Sequence, residues 1–521
     1  MNMVGSRYLD LSMKVNALPV LNESLPLTGG DPRTLDVNQP YQAVGYHAVW
    51  VMACTALVWP IIPGIGFLYG GLARRNASLG LLWQSFLVSA VISFQWWWIG
   101  YSLAYSRTAG KFIGDFENIG LRNVVAAPSI GSGYIPEILF ALFQCFFCVA
   151  TVQIMIGGAF ERGRLFPSLL FGFIWATVVY CPLACWTWNP SGWLYQLPSV
   201  DYAGGGPVHI ASGFSALAYA LVLGKRQGCR RQHRQTPHNV AMVFLGTCFI
   251  WFGWLCFNGG STLNATIRSM YAMFNTNIAA SCGIIGWVAT DYFGKKGRLS
   301  VVGACEGAIA GLVGITPAAG NVAIWYAALI GFLTAVLCSL CEDINIWVRI
   351  DEGMDIFKLH GIGGAVGALL TGIFASETIS LLDGMTSAPG AIDGNGAQVA
   401  KQLVAILAIA SYSFTVSAVI LLAMKHIPGL QLRLSEEAEL QGLDKHEFCG
   451  DETGELWGYE KDMLVVGGIT PHTTLQRTPT LDSQGAEQQQ PESKQYKTSS
   501  LEIAVPPKSS VTPPDNSDEA V

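Results

Sequence analysis

The chain has 521 residues, of which 51% are hydrophobic and 13% charged, against roughly 25% charged residues in a soluble domain. These proportions indicate a membrane protein, and the formal net charge of −6 gives no basic surface that would favour a nucleic-acid partner. Eleven of the thirteen cysteines lie in apolar runs, and their spacing indicates neither a zinc site nor a disulfide framework. We therefore expect no metal and no cofactor.

The order of apolar and polar segments predicts four regions. Residues 1–40 have no basic start followed by an apolar core, so we read them as an N-terminal segment without a cleaved signal peptide. Residues 41–424 are predicted to form the transmembrane domain, 425–460 short cytosolic helices and turns, and 461–521 a disordered tail, because that tail is rich in Ser, Thr, Pro, Gln and Glu. Eleven apolar stretches are long enough to span a bilayer. They cover roughly 47–72, 77–104, 135–160, 165–186, 204–224, 238–258, 269–293, 299–316, 323–346, 355–375 and 398–424.

The basic residues between these stretches predict the orientation. Thirteen of them fall in the loops on one side and four in the loops on the other. Since cytosolic loops carry the excess of Lys and Arg, the N-terminus is expected outside and the C-terminus inside. Asn22, in the sequon Asn22-Glu23-Ser24, would then face outward and could carry a glycan.

The fifth stretch begins with polar residues in the sequence DYAGGGPVHIASG (201–213). Asp201 precedes the helix, where free backbone N–H groups and the positive end of the helix dipole favour a carboxylate. One interpretation is a simple helix cap. The other is that the same carboxylate also helps to hold a cation near the entrance.

Two histidines lie well inside the predicted membrane-spanning stretches, away from the stretch ends. His209 is in the fifth stretch and His360 in the tenth, each with an aspartate near the helix start (Asp201 and Asp355). Five crossings separate the two stretches, so they run in opposite directions, and each histidine lies about 8–9 Å deep from its own side. The two rings are therefore predicted to meet near the midplane, with stretches 1–5 and 6–10 as inverted repeats and the eleventh as an addition. Ordinary buried histidines, a bis-histidine haem and a relay for protons or a small polar substrate remain alternatives at this point.

Several long motifs in the same order resemble those of the ammonium transporter, methylammonium permease and Rh family, over about residues 40–460. They are FALFQCFFCVATVQIMIGGAFERGR (140–164), DYAGGGPVHIASG (201–213), GWLCFNGGS (253–261) and DIFKLHGIGGAVGALLTGIFA (355–375). The fungal high-affinity permease type fits best, because of His209 and of the outer-loop sequence WTWNPSGWLY (186–195).

The resemblance implies a cation site at the outer mouth. Trp188 is similar to the aromatic residue that attracts a cation through its ring, Ser261 to its hydrogen-bonding partner, and Asp201 to the aspartate that shapes this site. Phe147 would form the floor of the site. Without the resemblance, an interfacial aromatic residue is the favoured interpretation of Trp188, and Ser261 could simply cap a helix end.

The resemblance also implies a path through the membrane. Phe147 and Phe257 are similar to a stacked phenyl gate, and His209 and His360 to twin histidines that line an apolar pore. NH4+ would lose its proton near the gate, NH3 would cross, and the proton would follow along the two imidazoles. On the residues alone, the two phenylalanines are ordinary core.

The family is one of transporters, so the resemblance implies no enzyme. It implies ammonium or methylammonium as the substrate, the plasma membrane as the location, a homotrimer in the lipid bilayer, and a regulatory kinase acting on the tail. Fungal members of this type are thought also to signal ammonium status for filamentous growth. The main alternative is an electroneutral NH3 or CO2 channel of the Rh type; a haem oxidoreductase with the two histidines as axial ligands is a third.

Overall fold

The computed structural model of the protein describes residues 41, 43–159, 161–227, 236–294 and 297–448. Asn22, the predicted N-terminal segment 1–40 and the predicted tail 461–521 lie outside these residues, as does the end of the 425–460 segment beyond 448.

Helices make up the secondary structure of these described ranges, which contain no β-strand and only two isolated bridges. Nine of the helices are long and apolar enough to cross a membrane, and two further apolar helices are shorter. They are α1 (Gly45–Leu72), α2 (Arg75–Tyr105), α3 (Glu137–Ala159), α4 (Leu165–Gln196), α5 (Gly205–Leu223), α6 (Val240–Gly260), α7 (Ile267–Gly294), α8 (Val301–Ile315), α9 (Ile324–Leu340), α10 (Phe357–Phe374) and α11 (Ala397–Lys425). The all-helical class is thus confirmed, and each predicted apolar stretch overlaps one of these eleven helices.

Some boundaries differ from the prediction. The ninth stretch was expected to continue to 346, but α9 ends at Leu340, and a separate short helix follows at Ile344–Trp347. Inside α1 the regular helix stops at Val58 and resumes at Ile61. Pro60 lies in this gap, where its missing N–H and its ring are tolerated more easily than within a continuous helix.

Four wide π-helical turns interrupt the regular helices. They are Trp96–Gly100 in α2, Ala176–Tyr180 in α4, Gly205–Ile210 at the start of α5 and Phe357–Ile362 at the start of α10. Turns of this kind are rare and often mark functional sites. The last two carry the histidines that the sequence singles out, His209 and His360.

Glycines allow α5 and α10 to pack backbone against backbone. A side chain at Gly213 of α5 would collide with the backbone of Gly361 in α10, and one at Gly364 would meet the carbonyl of Gly205 and the Cβ of His209. This close approach brings the two histidine-bearing turns together, as small residues do between membrane helices.

The glycines of α8 also form a packing surface. A side chain at Gly307 would collide with the Gly283 carbonyl of α7, and one at Gly311 with the Ala279 carbonyl. This agrees with a purely structural role for these glycines.

Candidate functional site

Asp201 caps the start of α5. Its Oδ1 accepts hydrogen bonds from the backbone N–H groups of Gly204 and Gly205, both at 2.8 Å, and its Oδ2 accepts one from Gly206 at 2.7 Å. Gly204 has a φ of 115°, a conformation that favours glycine. The capping part of the prediction is therefore correct: one carboxylate satisfies three backbone donors that the helix start leaves free.

Trp188 lies next to this cap. Its indole Nε1 donates a hydrogen bond to the backbone carbonyl of Asp201 (3.1 Å), and its ring meets Phe147 edge-on, with 6.2 Å between centroids. Ser261 follows the last residue of α6, and its hydroxyl donates back to the Phe257 carbonyl of its own helix (2.7 Å). The structure thus joins Trp188 to Asp201, whereas the hydrogen bond donated by Ser261 goes to its own helix.

The two phenylalanines predicted as a gate are in contact. Phe147 of α3 and Phe257 of α6 stack with 3.8 Å between ring centroids and an interplanar angle of 19°. Both are almost fully buried, at 1% and 2% exposure. Because Phe147 also contacts Trp188, the stacked pair lies between Trp188 and the side chains that Phe257 contacts.

Trp254 is a site residue that the sequence interpretation missed. Its ring lies 5.7 Å from Phe257 and stacks on His209, with 5.2 Å between centroids and an angle of 21°. Its Nε1 donates to the hydroxyl of Thr316 at 2.9 Å. A signal was present, because residues three apart share a helix face and Trp254 precedes Phe257 by three positions.

The two histidine rings meet, as the inverted arrangement of their helices predicts. The Nδ1 atoms of His209 and His360 are 3.2 Å apart, and the ring centroids are 5.3 Å apart. One Nδ1 must donate and the other accept, so the pair holds one proton between the two rings. The Nε2 of His209 is buried and has no hydrogen-bond partner.

Six aromatic or imidazole rings therefore form a column, which we call the ring column. Each ring contacts the next over centroid distances between 3.8 and 6.2 Å. In order they are Trp188, Phe147, Phe257, Trp254, His209 and His360.

Glu352, and not Asp355, corresponds to Asp201 at the start of α10. Asp201 precedes His209 by eight residues, and Glu352 precedes His360 by the same number. The Glu352 carboxylate accepts hydrogen bonds from the backbone N–H groups of Met354 (3.1 Å) and Phe357 (3.2 Å). Asp355 instead pairs with Lys358. Asp355 does lie near the helix start, but the capping carboxylate is that of Glu352, one turn further from the histidine.

A charged network joins the loops on the other side of the bundle, which the basic residues predict to be cytosolic. Arg226 pairs with Asp351 (2.8 Å) and with Glu161 (3.1 Å), and Glu161 also pairs with Arg74 (3.0 Å). Burial raises the pKa of Asp351, but the hydrogen bonds and charge of Arg226 outweigh it and lower this pKa to about 2. Burial lowers the pKa of Arg162, which donates to the Asp351 carbonyl at 2.7 Å, to about 10.

The segment after α11 docks on the same loops. Its backbone exchanges hydrogen bonds with the loop after α3, from Arg164 N to the Leu432 carbonyl (3.0 Å) and from Leu434 N to the Arg162 carbonyl (2.9 Å). It continues as α12 (Glu436–Gln441) and α13 (Leu443–Glu447).

Two carboxylates complete this docking. Glu439 of α12 accepts from the backbone of Gln227 (2.6 Å) and from Arg433 (2.7 Å). Asp444 of α13 caps α2 through the N–H groups of Leu79 (3.1 Å) and Gly80 (2.7 Å). These contacts lie within one chain.

Known proteins are similar to this chain in sequence and in fold. The family model described as Ammonium Transporter Family matches residues 49–453. Ammonium transporter MEP2 of Saccharomyces cerevisiae is 46% identical over 460 residues, covering 87% of this chain and 91% of that protein. Ammonium transporter 1 of Schizosaccharomyces pombe is 47% identical over 441 residues, covering 84% and 86%. The crystal structure of Saccharomyces cerevisiae Mep2 superimposes with a TM-score of 0.74 at 47% identity, covering 79% of this chain and 91% of that one.

Proposed function

Because this chain belongs to the ammonium transporter family, and is therefore a membrane transporter and not an enzyme, we propose a specific route by which it takes up ammonium. NH4+ binds at Trp188 and loses a proton near the stacked phenylalanines. NH3 then passes His209 and His360, and the proton follows along the two imidazoles. The observation that carries this proposal is the ring column, which runs from Trp188 to His360.

The outer end of the column suits a small cation. The Trp188 face offers cation–π attraction. The Asp201 carboxylate is close by, because the Trp188 indole donates a hydrogen bond to the backbone carbonyl of the same aspartate. The Ser261 hydroxyl donates its hydrogen to the Phe257 carbonyl. Its oxygen keeps lone pairs that can accept a hydrogen bond from NH4+. In this proposal Phe147 closes the site from below.

Selectivity follows from dehydration. Ammonium and potassium ions have similar size, so a sieve cannot separate them. The stacked pair Phe147 and Phe257 offers no polar group to replace a hydration shell, and moving a bare ion into such a place is very costly. Ammonium alone can leave its charge behind as a proton and continue as neutral NH3.

The histidine pair suits the proton. A single proton held between two Nδ1 atoms gives the column a donor and an acceptor without a net buried charge. A proton added at one end of the pair can be matched by one released at the other. Net charge then moves across the membrane although the pore conducts a neutral molecule.

Current measurement in liposomes tests this route. The full chain should give an ammonium-evoked current with no current in potassium, and His209→Ala and His360→Ala should each abolish the selective current. Trp175→Phe, which removes an indole N–H bonded to Ser215 and Ser417 away from the ring column, is the matched control and should leave it intact. A histidine variant that keeps an unchanged, ammonium-selective current would exclude the relay.

The same assay distinguishes the proposed route from an electroneutral channel of the Rh type. Internal alkalinisation without any current in the unmodified chain would favour passage of neutral gas, and the relay would then have no proton to carry.

We also propose the finer features that the family suggests. The eleven apolar stretches would each cross the membrane, and the distribution of basic residues places the N-terminus outside. Residues 41–424 would form the transport domain and 425–460 the regulatory segment. Residues 1–40 would form an outer segment and 461–521 a cytosolic tail. A plasma-membrane homotrimer, a kinase acting on the tail and a role in sensing ammonium belong to the same proposal. A transport-dead His209 variant that still supports filamentous growth would separate sensing from transport.

A further inference from the structure

We propose that Gln402 of α11 is a positioning residue for the outer cation site, an inference that rests on the proposed function. Its side-chain amide pairs with both backbone groups of Val200, the residue before Asp201. Oε1 accepts from Val200 N at 2.8 Å, and Nε2 donates to the Val200 carbonyl at 2.7 Å. Nε2 also donates to the Ala368 carbonyl of α10 at 3.0 Å. One side chain thus ties the segment before Asp201 to two helices.

Gln398, one turn earlier on α11, supports this clamp. Its Nε2 donates to the Pro198 carbonyl (3.0 Å) and to the Oε1 of Gln402 (3.3 Å). Both glutamines are 2% exposed. A buried amide with all its strong partners in place fixes geometry, because any displacement leaves backbone groups unpaired in an apolar surrounding.

The clamp reaches the cation site through the backbone. The Val200 carbonyl belongs to the peptide that leads into Asp201, so Gln402 fixes the orientation of that peptide. The next carbonyl, that of Asp201, receives the indole N–H of Trp188 at 3.1 Å. The next N–H, that of Tyr202, donates to the Pro317 carbonyl at 3.0 Å. Rotating the Val200 peptide would therefore move the Asp201 carboxylate and the Trp188 indole together.

The attachment of α11 to the bundle does not depend on this clamp. Further along the helix, Ser417 donates to Ser215 of α5 at 2.8 Å and accepts from Trp175 of α4 at 2.9 Å. Losing Gln402 should therefore disturb the outer site more than the fold. This assigns α11, which lies outside the proposed inverted repeats, a task in substrate capture.

Uptake of labelled methylammonium by the full chain in liposomes tests the assignment. Gln402→Met keeps the side-chain volume and removes the four hydrogen bonds of the amide, two with Val200, one to Ala368 and one from Gln398. We expect KM to rise about fivefold, which corresponds to the loss of roughly one net hydrogen bond from the bound state. The maximal rate should stay within about twofold of that of the unmodified chain, since a loss of this size should not disrupt the fold. Gln95→Met is the matched control, because Gln95 is a buried glutamine of α2 that bonds Thr177 and lies away from the mouth.

A second, milder variant keeps the assignment testable if Gln402→Met fails to fold. Gln398→Met removes one support of the clamp and should raise KM about twofold, by less than one net hydrogen bond. An unchanged KM in both variants, or a loss of maximal rate at constant KM as in a simple folding defect, would overturn the assignment. The measurement needs no current, so an electroneutral wild-type chain would contradict the proton relay and leave this comparison valid.

Discussion

Trp254 is the residue at which the apolar and the polar halves of the ring column join. One neighbour is Phe257 of the stacked pair and the other is the His209 imidazole, on which the indole stacks at 5.2 Å. Its N–H is bound to Thr316, so the ring presents only carbon faces to the column. An indole fixed in this way excludes water beside His209 without adding a polar group.

Replacing Trp254 with leucine should therefore cost selectivity. The smaller side chain leaves space that water can enter, and the barrier to hydrated ions falls. Thr316 still donates to the Leu312 carbonyl (2.7 Å), so the change leaves its hydroxyl bonded. We expect the ratio of ammonium-evoked to potassium-evoked current in liposomes to fall at least about tenfold, equivalent to roughly 1.4 kcal/mol of discrimination.

Trp254→Phe is the control, because it keeps an aromatic face toward His209. It should retain most of the selectivity. An unchanged current ratio in Trp254→Leu would mean that the phenylalanine pair alone provides the dry barrier.

At the scale of elements, α5 and α10 repeat one design from opposite directions. Each begins with a carboxylate that caps the helix, eight residues before the histidine, and each carries that histidine in a π-helical turn. In α10 this turn also contains Lys358, which is 3% exposed, pairs with Asp355 and donates to the Glu342 carbonyl at 2.8 Å. The pair ties the start of α10 to the segment after α9.

Lys358→Met should destabilise the protein, because the largely buried Asp355 carboxylate, 13% exposed, loses the ammonium group with which it was desolvated. We expect a loss of about 3 kcal/mol in the free energy of unfolding, seen as a lower unfolding temperature in detergent. The double variant Asp355→Asn, Lys358→Met should recover part of that loss.

The exposed pair Arg164–Glu447, at 4.0 Å with the arginine 36% exposed, provides the comparison. Arg164→Gln should change stability by less than about 1 kcal/mol. Equal effects of the two single substitutions would argue against a special contribution from the buried pair.

The helices themselves were predictable because apolar runs of membrane length are visible in the sequence. The meeting of His209 and His360 was predictable too, since an odd number of crossings between them reverses the helix direction. The π-helical turns were not, because a shift of backbone hydrogen bonding by one residue leaves no mark in the hydrophobic pattern.

Contacts between residues far apart in the sequence could not be predicted either. Gln402 and Val200 are 202 positions apart, and nothing local to either residue indicates their pairing. The capping role of Glu352 was not predictable either, because both Glu352 and Asp355 precede His360, and only the backbone geometry decides which carboxylate receives the N–H groups.

For the whole molecule, Arg226 is the residue that joins the loops of the predicted cytosolic side. It binds Glu161 after α3 and Asp351 before α10, so one guanidinium links two halves of the bundle. The pKa of Asp351 falls from 3.8 to about 2, since the bonds from Arg226 outweigh the effect of burial. A carboxyl whose folded pKa is depressed contributes stability that is present above its unfolded pKa and lost as the pH falls through the folded one.

Asp351→Asn should therefore lower the unfolding temperature by the same amount at pH 5 and at pH 8, because the Asp351 carboxyl is ionised at both. Thermal unfolding of the two purified chains at each pH measures this difference. The loss should shrink as the pH falls below 3.8, the ordinary pKa of the carboxyl, and should become small near pH 2, where the native carboxyl is itself protonated. A difference that is already smaller at pH 5 than at pH 8 would contradict a pKa this low.

The docked segment after α11 gives two truncations with opposite expected results. Its described contacts include Leu432, which accepts from Arg164, Asp444, which caps α2, and Glu447, which pairs with Arg164. Ending the chain after Tyr459 keeps all of them, so uptake should persist at the full rate or above it if the tail inhibits. Ending it after Leu430 removes them and leaves the N–H groups of Leu79, Gly80 and Gln227 without the Asp444 and Glu439 carboxylates. The loops on the predicted cytosolic side are then less firmly held, and the uptake rate should fall. Uptake per folded molecule in liposomes compares the two, and equal rates would mean that docking has no part in transport.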